Sequence, residues 1–272
     1  MNSAWPVTLE RLTERPALAT VATMLMTHTE TGKTRILQLE LAGEKLALHP
    51  CGGLWWAAAG MLIVSDLHLE KASSYASRGQ MLPPYDTRAT LQRLRALFDQ
   101  LRPTTVVSLG DSFHDRRSRP RMAEDDVSTV RAMTAAHDWV WIEGNHDPKP
   151  PEDLGGRAAV ELQMGALTLR HEPSPGNARG EIAGHLHPCA RVVGRTGRSV
   201  RVRCFAANAE RLVMPAYGAL TGGLNVLDRA FTPLFGGEMV AAVLGRDGVY
   251  LSGVDSLAPD RANPPLRRRA AA

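Results

Sequence analysis

Two kinds of hydrophobic pattern alternate in the first half of the chain. Apolar and polar residues alternate in ILQLELAGEKLALHP and in GGLWWAA, which predicts an antiparallel hairpin. Continuous apolar runs in MLIVSD, TTVVSLGD and DWVWIEGNHD predict buried strands. Each of these runs ends in polar residues, so we expect a loop at the carboxyl end of each strand.

Helical patterns occur only between the strands of the first half. The leucines of TRATLQRLRALFDQLRP recur at helical spacing before a closing proline, and MAEDDVSTVRAMTAA predicts a second helix. After Ala158 short strands follow one another, in AAVELQM, ALTLRHE, GEIAGH, ARVVG, SVRVRCFAA and RLVMPA, with a closing hairpin in GGEMVAAVLGRDGVYLSG. This order predicts an α/β fold, a four-layer α/β/β/α sandwich of two mixed sheets flanked by helices.

Length and composition indicate one large domain with an addition at each end. The 272 residues are 44% hydrophobic and 22% charged, and they contain no repeat or linker-like segment. PALATVATMLM only faintly resembles a signal peptide, because no convincing cleavage site follows it. We predict a domain over residues 36–258, a poorly ordered N-terminal extension over residues 1–35 and a basic flexible tail over residues 259–272.

The net charge is mildly basic, at +4 with a pI of about 9.2. Almost all of the cationic residues are arginines, which a GC-rich genome explains as well as an anion-binding surface does. The charge therefore permits a nucleic-acid partner without requiring one.

Cysteine usage and hydropathy limit the cellular environment. The three cysteines, Cys51, Cys189 and Cys204, form no C-x-x-C pair, which argues against a disulfide framework and fits a reducing compartment. No apolar run reaches the ~18 residues that a membrane-spanning helix needs. We therefore expect a cytoplasmic protein with no membrane partner.

Residues able to bind metal ions follow the ends of the predicted strands. The two histidines of GHLHP, one residue apart on an extended segment, point to the same side, and convergent imidazoles commonly bind a metal. Ligands of open α/β sheets gather at the carboxyl ends of strands, where the other candidates also lie. The candidate metal ligands are Asp66, His68, Asp111, Asn145, His171, His185 and His187.

The chemistry of these side chains favours two divalent ions. Carboxylate, imidazole and amide oxygen together suit Mn, Fe or Zn better than Ca or Mg. Seven side chains are too many for one ion, but they fit two ions that share a carboxylate. Ions ~3.5–4 Å apart stabilise an in-line displacement at phosphorus and lower the pKa of a shared water. Each motif alone is compatible with an ordinary turn, but their joint occurrence favours a metal site.

The order D-x-H, GD, GNHD, a lone His and GH-x-H resembles the calcineurin-like metallophosphoesterase superfamily. The motifs cover residues 66–187, and the strand pattern extends the resemblance over about residues 36–255. The resemblance implies one ion at Asp66, His68 and His187, a second ion at Asn145, His171 and His185, and a bridge at Asp111. It also implies that His146 protonates the leaving oxygen or stabilises the charge of the transition state.

A narrower resemblance is to the PdeM family of ligase-associated DNA damage response endonucleases. It rests on DLHLEKASSYASRGQMLPPYDT, LGDSFHDR, LRHEP, GHLHP and MPAYGALTGGLNV. The resemblance implies a Mn-dependent endonuclease that cleaves single-stranded DNA and is functionally associated with an ATP-dependent DNA ligase and a helicase.

One motif of this chain differs from the corresponding motif of the related phosphoprotein phosphatases. Their pattern is GD-x-x-D-R, whereas this chain has His114 where the second aspartate of that pattern stands, followed by Asp115. His146 then lacks the usual carboxylate partner, and we leave open whether His114 or Asp115 replaces it.

Basic residues near the motifs are candidates for holding a DNA strand. The arginines of DRRSRPR directly follow the metal motif of Asp111, and such contacts to phosphates position a strand without reading its sequence. A solvated loop explains the arginines equally well. Tyr75 and Tyr85 are able to stack on unpaired bases, although packing is the commoner role of a tyrosine. The candidate substrate contacts are Lys71, His114, Arg116 and Arg117.

Two other functions are compatible with the same fold. A phosphatase or a small nucleotide phosphodiesterase would use the same metal ligands on a different substrate. A non-catalytic scaffold would be expected to have lost ligands or the histidine at position 146, and this chain retains all of them. The scaffold is therefore the weaker alternative.

Overall fold

Two mixed β-sheets form the centre of the protein. The structure, a computed structural model, describes residues 27–31, 34–176, 178–194, 196–236 and 238–260. The strands of the first sheet are β1 (Thr27–Thr31), β2 (Thr34–Leu41), β3 (Glu44–Leu48), β4 (Leu54–Trp56), β5 (Met61–Val64), β6 (Thr105–Leu109), β7 (Asp138–Ile142) and β8 (Arg157–Ala159). Those of the second sheet are β9 (Glu161–Met164), β10 (Leu167–Arg170), β11 (Glu181–Ala183), β12 (Pro188–Val193), β13 (Ser199–Ala207), β14 (Arg211–Val213), β15 (Leu224–Asn225), β16 (Val240–Leu244), β17 (Val249–Gly253) and β18 (Leu257–Ala258).

Two of the helices have 16 and 13 residues, the others are shorter, and most of them follow strands of the first sheet. They are α1 (Lys71–Ala76), α2 (Asp86–Leu101), α3 (Ser118–Arg121), α4 (Glu124–Ala136) and α5 (Thr232–Phe235), with single 3-10 turns at Ala57–Ala59, Glu152–Leu154 and Val254–Ser256. Among the described residues, no helix has both the length and the apolar character needed to cross a bilayer.

Parallel strands lie at the centre of the region that carries the polar motifs. In the first sheet the strands follow sequence order, with β1 to β5 antiparallel and β5 to β8 parallel. Ile63, Val107 and Val140 pair across β5, β6 and β7, so the carboxyl ends of these strands lie at one edge. In the second sheet β10, β11 and β14 are also parallel.

The hydrophobic core lies between the two sheets. Leu37, Leu48 and Val107 from the first sheet belong to one buried cluster with Leu169 and Phe205 from the second. On strands such as β2, β6 and β10, alternate residues supply this face, because successive side chains of a strand point to opposite faces of the sheet. Burial of both inner faces fixes how the sheets sit on each other, and therefore where their strand ends meet.

The outer faces are covered unequally. Leu91, Leu94 and Phe98 of α2 pack with Val127 of α4 against the outer face of the first sheet. The second sheet is covered by α5 and by loop residues, including Phe231 and Met239. The four-layer arrangement is thus present, with a fourth layer that contains a single four-residue helix among the described residues.

Most of the predicted elements are present, and one is divided. The two long helices and the buried strands occur where the hydrophobic patterns predict them. The single strand expected in AAVELQM is two strands, because the chain leaves the first sheet after β8 and enters the second at β9. Val160 lies between them and is 71% exposed. A short apolar run does not reveal which sheet each part will join.

The two ends of the chain lie partly outside the described residues. Within the predicted extension of residues 1–35, β1 pairs antiparallel with β2 and continues the first sheet. Residues 1–26 and 261–272, which hold most of the predicted extension and tail, lie outside the described residues.

Candidate metal centre

The polar motifs converge because they all follow parallel strands. Asp66 and His68 come after β5, Asp111 after β6, and Asn145 and His146 after β7. On the second sheet, His171 follows β10, and the histidines of GHLHP follow β11. The packing of the two sheets brings these two sets of loops together, as expected for a ligand site at the carboxyl ends of strands.

One group of possible ligands joins the two sheets. Its members, Asp66, His68, Asp111 and His187, each offer an atom within 4.8 Å of the others. Nε2 of His187 lies 2.9 Å from Oδ1 of Asp66 and 3.4 Å from Nε2 of His68.

A second group lies on the other side of Asp111. It contains Asp111, His171 and His185. Oδ1 of Asn145 lies 2.9 Å from Nε2 of His171 and 3.1 Å from Nδ1 of His185, so the amide oxygen joins this group.

The carboxylate of Asp111 faces both groups. Its Oδ2 lies 3.7 Å from Nε2 of His68, and its Oδ1 lies 3.5 Å from Nε2 of His171. Each oxygen therefore points toward a different group, which is the arrangement of a bridging carboxylate. The cluster suits a dinuclear metal site.

The side chains also show the local crowding of lone pairs that a cation would relieve. Oδ1 of Asp66 is buried and accepts no hydrogen bond of acceptable geometry from the described part of the chain, although Nε2 of His187 lies 2.9 Å away. Nδ1 of His171 donates to the carbonyl of Leu109 at 2.9 Å, so its Nε2 carries a lone pair, and this lone pair faces Oδ1 of Asn145 at 2.9 Å. Buried polar atoms normally have a hydrogen-bond partner, so the unpaired oxygen of Asp66 is suited to binding a cation. The residues present therefore fit a pair of divalent ions.

The ionisation of the ligands matches metal binding. Burial alone would raise the pKa of Asp66, but the neighbouring imidazoles of His187 and His171 outweigh it and hold that pKa at about 2. Burial lowers the pKa of His68 to about 2 and also lowers the pKa of His185. Near neutral pH Asp66 is then ionised and these histidines are neutral, which are the forms that bind a metal.

The loops hold the ligands in an uncommon backbone conformation. Positive φ values occur at Asp66 (53°), His68 (43°), Asp111 (47°), His185 (68°) and His187 (46°). Such values are unfavourable for residues other than glycine and persist only where the surroundings impose them, often at functional sites. Here the amide of His68 donates to the carbonyl of Asp111 at 2.9 Å, which ties the first two loops together.

Two glycines are needed for the close approach of the loops. A Cβ on Gly110, which has a φ of +70°, would overlap the ring of His171. A Cβ on Gly184 would overlap the hydroxyl of Ser65 and come 2.6 Å from Oδ2 of Asp66. These positions explain the Gly-Asp and Gly-His pairs of the motifs, because any larger residue would displace a ligand.

His146 lies beside the carboxylate of Asp111 but is oriented by a carbonyl. Its backbone amide donates to Oδ1 of Asp111 at 2.9 Å, and its Nε2 lies 3.9 Å from Oδ2 of the same residue. Nδ1 of His146 lies 2.8 Å from the carbonyl oxygen of His114. A carbonyl only accepts, so Nδ1 carries a proton and Nε2 faces the centre. The side chain is 40% exposed and is therefore open to a substrate.

The choice between His114 and Asp115 as the partner of His146 is thereby answered. His114 supplies its backbone carbonyl, and its ring stacks on the ring of His146 with centroids 5.4 Å apart. Asp115 instead binds Nη2 of Arg121 at 2.8 Å. Burial, followed by the charges of Lys71 and His146, lowers the pKa of His114 to about 4, so its ring is neutral near pH 7.

The remaining candidate contacts fall into two classes. Arg119 pairs with Asp153 at 2.7 Å, and Arg121 is held by Asp115. Arg116 and Arg117 are exposed, and within the described residues their guanidinium groups make no ion pair. Lys71 begins α1, is partly buried and is close enough to influence His68 and His114 electrostatically.

Sequence reasoning missed one buried carboxylate at the centre. Asp147 is 3% exposed and accepts a hydrogen bond from the amide of Phe113 at 3.0 Å, which ties the loop after β7 to the loop after β6. Burial raises the pKa of Asp147 to about 8. Its place as the last residue of GNHD was a signal, because that motif also supplies Asn145 and His146.

Solved structures that resemble this chain include one clear match and two weak ones. The nuclease MPE of Pseudomonas putida is 29% identical, with a TM-score of 0.62, over 80% of this chain and 100% of that chain. The phosphoesterase YfcE of E. coli is 15% identical, with a TM-score of 0.36, over 71% of this chain and 98% of that chain. AQ665 of Aquifex aeolicus, a protein of unknown function, is 15% identical, with a TM-score of 0.33, over 47% of this chain and 78% of that chain. Similarity as low as that of the last two does not bear on activity.

The family assignment follows from the sequence match together with the cluster. No curated protein matches the chain. A family model described as calcineurin-like phosphoesterase matches residues 61–206, which is more than half of the chain and includes every candidate metal ligand. The matched segment carries both ligand groups and the carboxylate between them. The chain therefore belongs to the calcineurin-like phosphoesterase family and is a metallophosphoesterase.

Proposed function

We propose that this protein is a Mn-dependent endonuclease that cleaves single-stranded DNA with a dinuclear metal centre. The observation that carries the proposal is the meeting of two ligand groups at Asp111, with Nε2 of His146 beside the same carboxylate. The similarity to the Pseudomonas putida nuclease, over the whole of that chain, favours a nucleic-acid substrate.

The proposed ligands follow the two groups. Asp66, His68 and His187 would hold one ion, Asn145, His171 and His185 the other, and Asp111 both. Mn suits this mixture of carboxylate, imidazole and amide, and Fe or Zn would also be accepted. When bound, two such ions supply an activated water and neutralise negative charge at the phosphorus.

His146 provides the proton that the departing sugar oxygen needs. The Nδ1–H of His146 donates to the carbonyl of His114, so the ring is held with Nε2 toward the centre. In its protonated form Nε2 donates to the leaving oxygen, which is general acid catalysis. The exposure of this ring leaves room for a polymeric substrate.

The endonuclease activity is tested with circular single-stranded DNA and Mn. We expect the purified protein to convert circles into linear fragments, because an endonuclease needs no free end. Conversion is followed on denaturing gels, with a chelator as the control. Intact circles together with rapid hydrolysis of a phosphomonoester would contradict the proposal in favour of a phosphatase. Rapid hydrolysis of small nucleotide diesters alone would favour a small phosphodiesterase.

Arg116 and Arg117 are proposed to bind the phosphates of the strand, together with Lys71 and His114 at the centre. Arg119 and Arg121 each have an acidic partner. The side chains of Arg116 and Arg117 have none among the described residues. A guanidinium that is not paired with a carboxylate of the protein remains available to bind the phosphates of a nucleic acid. Such binding does not depend on contacts with the bases.

Replacing both Arg116 and Arg117 with alanine should make DNA binding less sensitive to salt. The slope of log K against log salt is negative, and each phosphate contact contributes about −0.7 to it for a single strand. We therefore expect the slope of the double variant to be less negative by about 1.4. Fluorescence anisotropy at several salt concentrations measures the slope.

The matched control replaces Arg95 and Arg102, which are also exposed. Arg95 lies on α2 and Arg102 precedes β6, so neither control arginine belongs to the loop after β6 that carries Asp111, Arg116 and Arg117. An equal change of slope in both double variants would remove Arg116 and Arg117 from the phosphate path.

We infer a role in DNA repair with an ATP-dependent ligase and a helicase, in the cytoplasm. The lack of a C-x-x-C pair among Cys51, Cys189 and Cys204 favours this setting, because it argues against a disulfide framework.

A further inference from the structure

A series of contacts between planar groups leads away from the metal centre, from ring to ring and then to a guanidinium. We call it the stacking column and define it as His146, His114, Tyr75 and Arg78. The rings of His146 and His114 lie 5.4 Å apart at 25°, and the rings of His114 and Tyr75 lie 5.8 Å apart at 35°. The guanidinium of Arg78 lies over the ring of Tyr75 at 5.2 Å.

The outer end of the stacking column is accessible and held in place. Arg78 is exposed and Tyr75 partly exposed. Two hydrogen bonds fix the guanidinium, from Nε to the carbonyl of Ser74 at 3.2 Å and from Nη2 to its hydroxyl at 2.9 Å. Within the described residues, Arg78 has no ion pair with a carboxylate. Its plane and its charge are therefore both available to a ligand.

Planar groups of this kind are suited to unpaired bases. Bases of single strands stack on aromatic rings and on arginine planes, and the contact tolerates any sequence because every base has a π face. The inner end of the stacking column, His146, is the proposed proton donor at the cleaved bond. A nucleotide next to that bond would therefore have its base close to the outer end.

We propose that Tyr75 and Arg78 form a nucleobase subsite, on which the base of a nucleotide adjoining the cleaved phosphodiester stacks. This inference rests on the proposed function, because only a nucleic-acid substrate supplies the base. It assigns to Tyr75 a role in base binding, beneath the plane of Arg78, whereas a tyrosine that merely supports His114 would be indifferent to the base.

The experiment compares two oligonucleotides of equal length and charge, oligo(dT) and a chain of abasic residues. Dissociation constants are measured by fluorescence anisotropy in metal-free buffer, so that no cleavage occurs. For the wild-type protein we expect weaker binding of the abasic chain. In Tyr75→Leu the ratio of the two constants should shrink about tenfold, since one base stack is lost. Tyr75→Phe retains the ring and should retain the ratio.

A second tyrosine–arginine pair provides the matched control. Arg35 lies over the ring of Tyr250 at 5.8 Å, on strands that carry none of the candidate metal ligands. Tyr250→Leu should keep the wild-type ratio. Arg78→Lys, which keeps the charge but loses the plane, should shrink the ratio as Tyr75→Leu does.

The outcomes separate this inference from the proposed function. An unchanged ratio in Tyr75→Leu, or equal weakening for both oligonucleotides, would overturn the nucleobase subsite and leave a supporting role for Tyr75. A wild-type protein that leaves single-stranded circles intact in Mn while it hydrolyses phosphomonoesters would contradict the nuclease function itself.

Discussion

Replacing Asp111 with asparagine is expected to reduce cleavage of single-stranded DNA by on the order of 10³-fold or more. Asparagine has nearly the same shape and still accepts the hydrogen bond from the amide of His146. It lacks the negative charge that faces both ligand groups, so neither ion would be held as before. We expect fewer than two Mn ions per chain, measured by elemental analysis beside the rate.

The control for this variant is Asp125→Asn on α4, because that carboxylate is 91% exposed and belongs to neither ligand group. Circular dichroism checks that both variants are folded. An Asp111→Asn protein that retains two ions per chain and the wild-type rate would contradict the bridging role and, with it, the dinuclear centre.

His146→Ala is expected to slow cleavage of single-stranded DNA by about 10²- to 10⁴-fold, the usual contribution of a general acid. The loss should be much smaller for bis(p-nitrophenyl) phosphate, because p-nitrophenolate departs without the proton that a sugar oxygen requires. Metal content should stay at the wild-type value, since the imidazole of His146 is oriented by the carbonyl of His114. Steady-state kinetics on both substrates, with elemental analysis, test this split.

His137→Ala is the matched histidine control, because His137 lies at the end of α4 and its Nδ1 donates to the carbonyl of Met133 at 2.8 Å. It should leave both rates unchanged. Equal losses on the two substrates in His146→Ala would show that His146 supports the centre rather than donating a proton. No loss on DNA would exclude it from the chemistry.

Local sequence patterns were sufficient for most elements of the fold. Period two in the strands, period 3.6 in α2 and the apolar runs of β5, β6 and β7 all report burial of one element against another. They failed where the choice was between partners, as at Val160, where one apolar run contributes to both sheets. Pairing depends on the position of strands that are distant in the sequence.

The sequence by itself determined which side chains are able to meet. Aspartate, histidine and asparagine at the ends of parallel strands must gather at one edge, because parallel strands bring their carboxyl ends together. The proposed ligands and His146 could therefore be predicted from the strand pattern and the residue types. The resemblance to metallophosphoesterases then implied a role for each of them.

Only the tertiary structure decided how those side chains are shared and oriented. Asp111 faces both ligand groups, and His146 is held by the carbonyl of His114. Among the residues that the structure describes, Arg116 has no acidic partner, while Arg121 has one. A backbone carbonyl and an ion pair carry no signature in residue type. These contacts form when burial of the core fixes the two sheets face to face, because loops that are far apart in the chain then come within hydrogen-bonding distance of each other.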